Sequence, residues 1–123
     1  MVEGHGVHRT ASAARKKLKG KRFKASSPNG RFTEGAKAID GKHLTRVEAL
    51  GKNLFWFFSG EGEELVVVHI HFGMAGRCRI AALPGPAATN TTRLELRNDE
   101  HDLVVHVSAM TGVCVCVCVC VCV

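Results

Sequence analysis

His43-Leu44-Thr45-Arg46-Val47-Glu48-Ala49-Leu50-Gly51-Lys52-Asn53-Leu54-Phe55-Trp56-Phe57-Phe58 is the stretch from which the fold is read. From residue 43 the hydrophobic period is two. Leu44, Val47 and Ala49 lead into Gly51-Lys52-Asn53, and the apolar run Leu54–Phe58 follows. Two strand patterns joined by a glycine-containing turn predict a β-hairpin with Lys52 at its tip. The apolar run is far too short for a membrane-crossing helix, which takes about 20 residues, and reads as a buried strand.

The same period continues downstream. Leu65–Phe72 is a third strand, with His69 and His71 on one face and Val68 and Ile70 on the other. An acidic loop, Gly60-Glu61-Gly62-Glu63, precedes it, and Gly73-Met74-Ala75-Gly76 interrupts it. Arg77–Ala82 resumes as strand, residues 83–91 form a loop containing Pro84, Gly85 and Pro86, and Thr92–Arg97 and Leu103–Val107 make a last hairpin across Asn98-Asp99-Glu100-His101.

Upstream the period changes. Val7, Ala11, Ala14 and Leu18 recur at i, i+4, i+7 and i+11, one narrow apolar stripe on a helix over residues 5–19, with Gly20 as its stop. Arg22–Ser26 reads as a strand ending at the turn Pro28-Asn29-Gly30. Residues 33–39 predict a short helix capped by Thr33, weakened by Gly35 and ended by Asp40-Gly41. The expected fold is mainly β with an N-terminal helix, a two-layer β-sandwich.

A chain of 123 residues is long enough for one domain with a modest core. Residues 1–58 carry 13 of the 17 Lys and Arg but only 4 of the 11 Asp and Glu. Arg15, Lys16, Lys17, Lys19, Lys21, Arg22 and Lys24 crowd into ten positions. Such a patch suits a polyanion, nucleic acid before membrane, or a nuclear import signal; a merely solvated helix face is the plain alternative. No apolar segment is long enough to cross a membrane as a helix, and the basic first 24 residues lack the apolar centre of a signal peptide. An intracellular, nuclear location is therefore expected.

Of the six cysteines, only Cys78 lies outside the C-terminal run in which Val and Cys alternate from Val113 to Val123. One isolated cysteine in a body of this size fits a reducing compartment without a disulfide framework. The alternating run would be a strand with thiols on one face and valines on the other. GTG and TGT codons alternate in one frame of a GT dinucleotide repeat and encode this pattern, so the reading frame is expected to have run from a coding exon into a repeat. The expected division is a domain over residues 1–111 and a low-complexity tail over 112–123.

The chain opens Met1-Val2-Glu3-Gly4-His5-Gly6-Val7. Removal of Met1 exposes the amine of Val2. An α-amine titrates near ~7.7–8.0 against ~10.4 for a lysine side chain, so about a tenth of it is free base at neutral pH. A neutral amine attacks carbon electrophiles and forms Schiff bases, and Glu3 next to it is placed to move protons. His5 and His8 flank this terminus. His69 and His71 share a strand face but lack an evident third ligand, so a hydrogen-bonded structural pair is expected rather than a metal site.

Met1-Val2-Glu3-Gly4 before a helix, Gly51-Lys52-Asn53-Leu54 in a hairpin, and His69-Ile70-His71-Phe72-Gly73-Met74-Ala75-Gly76 followed by Arg79-Ile80 together resemble the formamidopyrimidine-DNA glycosylase / endonuclease VIII family. The resemblance covers residues 1 to about 111, the family's N-terminal catalytic β-sandwich. It implies a bifunctional DNA glycosylase and AP lyase of base-excision repair, removing oxidised bases through a Schiff base on the N-terminal amine. By resemblance Val2 is the nucleophile, where most members have proline, and Glu3 moves protons around the sugar. Lys52 touches the phosphate beside the lesion; as a residue it also reads as an ordinary turn lysine. Met74 is the wedge that fills the gap left by a flipped nucleotide; as a residue it also reads as a core methionine. Arg15, Lys16, Lys19 and His8 are the expected DNA contacts beside the amine.

The resemblance also marks departures. The family's helix-two-turn-helix domain and its finger have no counterpart in these residues, and the tail cysteines lack a finger's spacing, so no zinc or other cofactor is expected. The expected partner is damaged DNA, with no membrane partner and a monomeric state. The expected chain is a catalytic domain impaired by truncation; a non-catalytic DNA-binding sandwich and an incomplete gene product are the alternatives.

Overall fold

The computed structural model describes residues 4–60, 65–72, 76–83, 85 and 87–116, of which 4–6 and 110–116 as backbone only. Helix α1 (Gly4–Lys17) is followed by β1 (Lys24–Ser26), helix α2 (Thr33–Ile39), and strands β2 (His43–Leu50), β3 (Asn53–Ser59), β4 (Leu65–His71), β5 (Arg77–Ala82), β6 (Leu94–Asn98), β7 (Leu103–Ser108) and β8 (Met110–Cys116). Two four-stranded antiparallel sheets, β2-β3-β4-β8 and β1-β6-β7-β5, enclose the core. The acidic loop at 61–63, Pro84, Pro86 and residues 117–123 lie outside the described residues.

The period-two pattern around residue 50 becomes the core of the first sheet. Along β3, Leu54, Trp56 and Phe58 are fully buried while Asn53, Phe55, Phe57 and Ser59 are half-buried on the other face. Val66, Val68 and Ile70 of β4 join the buried set, and Leu94, Leu96, Val105 and Val107 face them from the second sheet. In β2, Leu44 and Val47 are both buried although an odd spacing separates them. A bulge between Leu44 and Arg46 resolves the parity, because the extra residue, Thr45, turns the strand by half a period. The Thr45 hydroxyl donates to the carbonyl of Phe57 at 3.1 Å.

The stripe Val7, Ala11, Ala14 and Leu18 is buried in full. Small alanines in its middle let α1 pack closely on β2 and β3. Gly20, with φ of +84°, ends the helical run, and its N–H donates to the carbonyl of Leu44 at 2.6 Å.

Several boundaries differ from the sequence pattern, among them the end of the first helix, at Lys17 rather than residue 19, and the start of β6, at Leu94 rather than Thr92. The first strand begins at Lys24 because Arg22 makes only an isolated bridge to His43. Thr33 is no cap: it is the first residue of α2, after Phe32, and its hydroxyl donates back to the carbonyl of Gly30, while Ser27 Oγ accepts from the Phe32 N–H. Gly35 is not a weakness of α2 but a fitting residue, because a Cβ there would overlap the Phe32 ring. Strand β8 crosses the expected 111/112 boundary: Val113 to Cys116 pair in register with Val68 to Leu65.

Candidate active site

The direction of α1 decides where its start lies. Arg15 Nε donates to the carbonyl of Val47 at 3.0 Å, and Gly20 bonds Leu44, so the helix runs antiparallel to β2. From Arg15 back to Gly4 the helix extends roughly 16 Å at about 1.5 Å per residue. From Val47 on to Lys52 the strand covers a similar distance at about 3.3 Å per residue. The first turn of α1 therefore reaches the level of the Gly51-Lys52 turn.

That turn is tight. Leu50 pairs with Asn53, leaving Gly51 and Lys52 as the two loop residues. Gly51 has φ of +60° and Lys52 is not among the positive-φ residues, the pattern of a type II′ hairpin turn with glycine first. Lys52 is exposed there. Its carbonyl accepts the Phe72 N–H at 3.0 Å, which ties the turn to the end of β4, where residues 73–75 begin.

A cleft of about 490 Å³ opens at this end. Val7 and Thr10 line it from α1, Phe72 and Gly76 from either side of residues 73–75, and Arg77, Cys78, Arg79 and Ile80 from β5. The first half of α1 and both flanks of residues 73–75 thus share one cavity, and the lysine turn is hydrogen-bonded to Phe72 on its wall. Burial pushes the Cys78 thiol up to about 12, so it stays protonated at neutral pH and is a poor nucleophile.

Beside the turn, on the outer face of the first sheet, Asn53 Oδ1 lies 2.7 Å from His69 Nε2 and 3.1 Å from His71 Nδ1. The His69 ring stacks on Phe55, with centroids 4.9 Å apart and planes at 12°. Desolvation, and then the neighbouring His71, hold His69 below the ordinary histidine pKa. The pair is hydrogen-bonded as the sequence suggested. Among the described residues no group of three or more His, Cys, Asp or Glu is placed to hold a metal ion.

The sequence-derived site residues fall into three sets. Lys52 stands at the cleft end. Val2, Glu3 and Met74 lie outside the described residues, although Gly4 follows the first two and Phe72 and Gly76 flank the third. His8, Arg15, Lys16 and Lys19 are exposed on and just after α1, but the last three belong to its far half, away from the Lys52 turn. Arg15 is partly engaged by Val47. The Glu48 carboxyl is held below its usual range first by a hydrogen bond from Arg46, at 2.8 Å, with the charges of Arg46, Arg15 and Lys19 adding to it. The basic face thus has an acidic residue set among its charges. Asn53, Thr10, Arg77 and the wall role of Arg79 were missed in the sequence; the alternation of Arg77 and Arg79 at the start of a strand was the one available signal.

This arrangement of two antiparallel sheets with a leading helix is the fold of the N-terminal part of solved DNA glycosylases. The formamido-pyrimidine DNA glycosylase of Lactococcus lactis, bound non-covalently to AP-site DNA, superposes with a TM-score of 0.73 at 17% identity, covering 90% of this chain and 44% of that one. MutM in complex with DNA containing carbocyclic 8-oxo-G gives 0.68 at 19% identity, covering 86% and 40%. The Formamidopyrimidine-DNA glycosylase N-terminal domain family matches residues 1–112, and the chain belongs to that family. Endonuclease 8 1 of Mycobacterium tuberculosis, like that of Mycobacterium bovis, is 41% identical over 76 residues, which span 62% of this chain and 27% of the relative.

Proposed function

We propose that this chain is the catalytic domain of a DNA glycosylase with AP-lyase activity, acting in base-excision repair on oxidised bases. The observation that supports this most is the cleft that Val7 and Thr10 of α1 share with both flanks of residues 73–75, with the Lys52 turn hydrogen-bonded to Phe72 on its wall. Family membership supplies the chemistry to which these positions correspond.

In this reading the amine of Val2, freed of Met1, attacks C1′ of the damaged nucleotide. The N–C1′ bond forms as the bond to the base breaks, and the base leaves with a proton. Opening of the sugar ring gives a Schiff base, which acidifies the C2′ proton. Loss of that proton expels the 3′ phosphate and nicks the strand. Glu3 carries protons to and from the sugar oxygen. Lys52 neutralises the adjacent phosphate from a rigid turn. Met74 enters the duplex where the nucleotide has flipped out, and the exposed basic residues Lys16, Lys19 and His8 follow the DNA backbone, with Arg15 divided between DNA and β2.

The proposal is tested on DNA containing an abasic site. Strand scission by the chain should fall by at least about 100-fold in Glu3→Gln, the scale of a lost general acid–base group. Lys52→Ala should slow it as well. Salt-dependent binding without scission, and unchanged by acetylation of the terminus, would replace the enzyme with a non-catalytic DNA-binding domain.

A further inference from the structure

Asn53 follows the turn lysine directly, and its side chain makes an unusual pair of contacts. One carboxamide oxygen lies within hydrogen-bond distance of two histidine rings, His69 at 2.7 Å and His71 at 3.1 Å. An amide oxygen only accepts, so both ring nitrogens that face it must carry protons. This orientation of the carboxamide calls for the Nε2–H tautomer at His69 and the Nδ1–H tautomer at His71. Stacking of His69 on Phe55 holds its ring in the plane that this bond needs. On the backbone side, the Phe72 N–H donates to the Lys52 carbonyl at 3.0 Å. The turn is thus fastened to the end of β4 twice, through the main chain of Lys52 and through the side chain of Asn53.

We propose that Asn53 is a positioning residue, which with His69 and His71 locks the Lys52 turn to the end of β4 so that Lys52 holds one fixed geometry. The inference rests on the reading that Lys52 acts on DNA. Its physical basis is that an exposed lysine on a two-residue turn has no packing to orient it; the turn itself must be held. Strand pairing holds Asn53 to Leu50 on one side and to His71 on the other, but leaves Gly51 and Lys52 beyond the ladder. The Lys52 carbonyl and the Asn53 side chain add anchors on β4 there, and a misplacement of about 1 Å at a catalytic group can cost as much as 100-fold in rate.

The test has a spectroscopic arm and a kinetic arm, both on the full chain. Long-range proton–nitrogen correlation spectra of the histidines, with His71→Gln and His69→Gln used for assignment, should show His71 as Nδ1–H and His69 as Nε2–H. Asn53→Ala should release His71 to the Nε2–H form, and Asn53→Asp, which still accepts from both rings, should preserve the Nδ1–H form. In borohydride trapping on abasic DNA, Asn53→Ala should slow adduct formation by about 10- to 100-fold, and Asn53→Asp should restore most of the rate. Combining Asn53→Ala with Lys52→Ala should be no slower than Lys52→Ala alone, because the first acts through the second. An Nε2–H tautomer at His71 in the unaltered protein overturns the lock, as do losses that multiply in the double variant. If the unaltered chain gives no adduct, the enzymatic reading fails, and the tautomers still decide whether the lock exists.

Discussion

Cys78 shows how a residue's surroundings override its type. It lines the cleft, where a nucleophile would be useful, yet burial raises its thiol to about 12 and leaves almost no thiolate at neutral pH. Alkylation by iodoacetamide at pH 7.5, followed by peptide mapping, should therefore label Cys78 at least about tenfold more slowly than an unperturbed thiol of pKa ~8.5. His69 gives a second prediction at this scale. Its folded pKa is depressed, by desolvation first and by His71 second, whereas the unfolded chain takes up the proton near ~6.5. Below that value the unfolded state holds more protons, so stability falls as pH drops through it and levels off once the folded state also protonates. Urea titrations between pH 7.5 and 5 should show this decline, and His69→Gln should flatten it. The residue scale is also where the sequence was least legible. The alternation of His69 and His71 was plain, but that Asn53 would stand between their rings depended on strand register, which a one-residue slip would have undone.

At the scale of elements, the hairpin tip is the most consequential feature. Gly51 at φ of +60° has open space where a Cβ would go, so replacement meets no clash and acts through backbone strain alone. Gly51→Ala should cost about 1 kcal/mol of stability, measured by denaturant unfolding, and should slow any reaction that uses Lys52 by more than that small loss explains. The elements themselves were largely readable. The β2–β3 hairpin falls where periodicity placed it, and α2 and β5 fall where their flanking turn signals bounded them. The bulge at Thr45 was not readable as such; the odd spacing of Leu44 and Val47 is its only trace. Thr33 failed as a cap because Phe32 starts the helix and packs its ring over Gly35, a tertiary fit that outweighs cap preference.

Across the whole molecule, the arrangement follows from one apolar stripe and two sheets. The buried face of α1 fixes its direction along β2, and that direction brings its start to the level of the lysine turn. The sequence suggested the same convergence only through family resemblance, since nothing in the spacing of residues 4, 52 and 76 implies proximity. A helix over residues 5–19 already puts Arg15 to Lys19 in its last turn, so expecting them beside the amine overlooked the helix's length; that Glu48 is set among their charges was not legible. The aligned stretch spans 27% of the mycobacterial relative's length, and the fold covers 44% of the Lactococcus lactis structure. The proposed chemistry is open to direct measurement. The most direct is reduction with borohydride in the presence of abasic DNA, followed by mass spectrometry of the digested adduct. The account predicts a covalent sugar remnant on the amine of Val2, lost when the terminus is acetylated beforehand. An adduct on a lysine side chain, or none at high protein concentration, would contradict it.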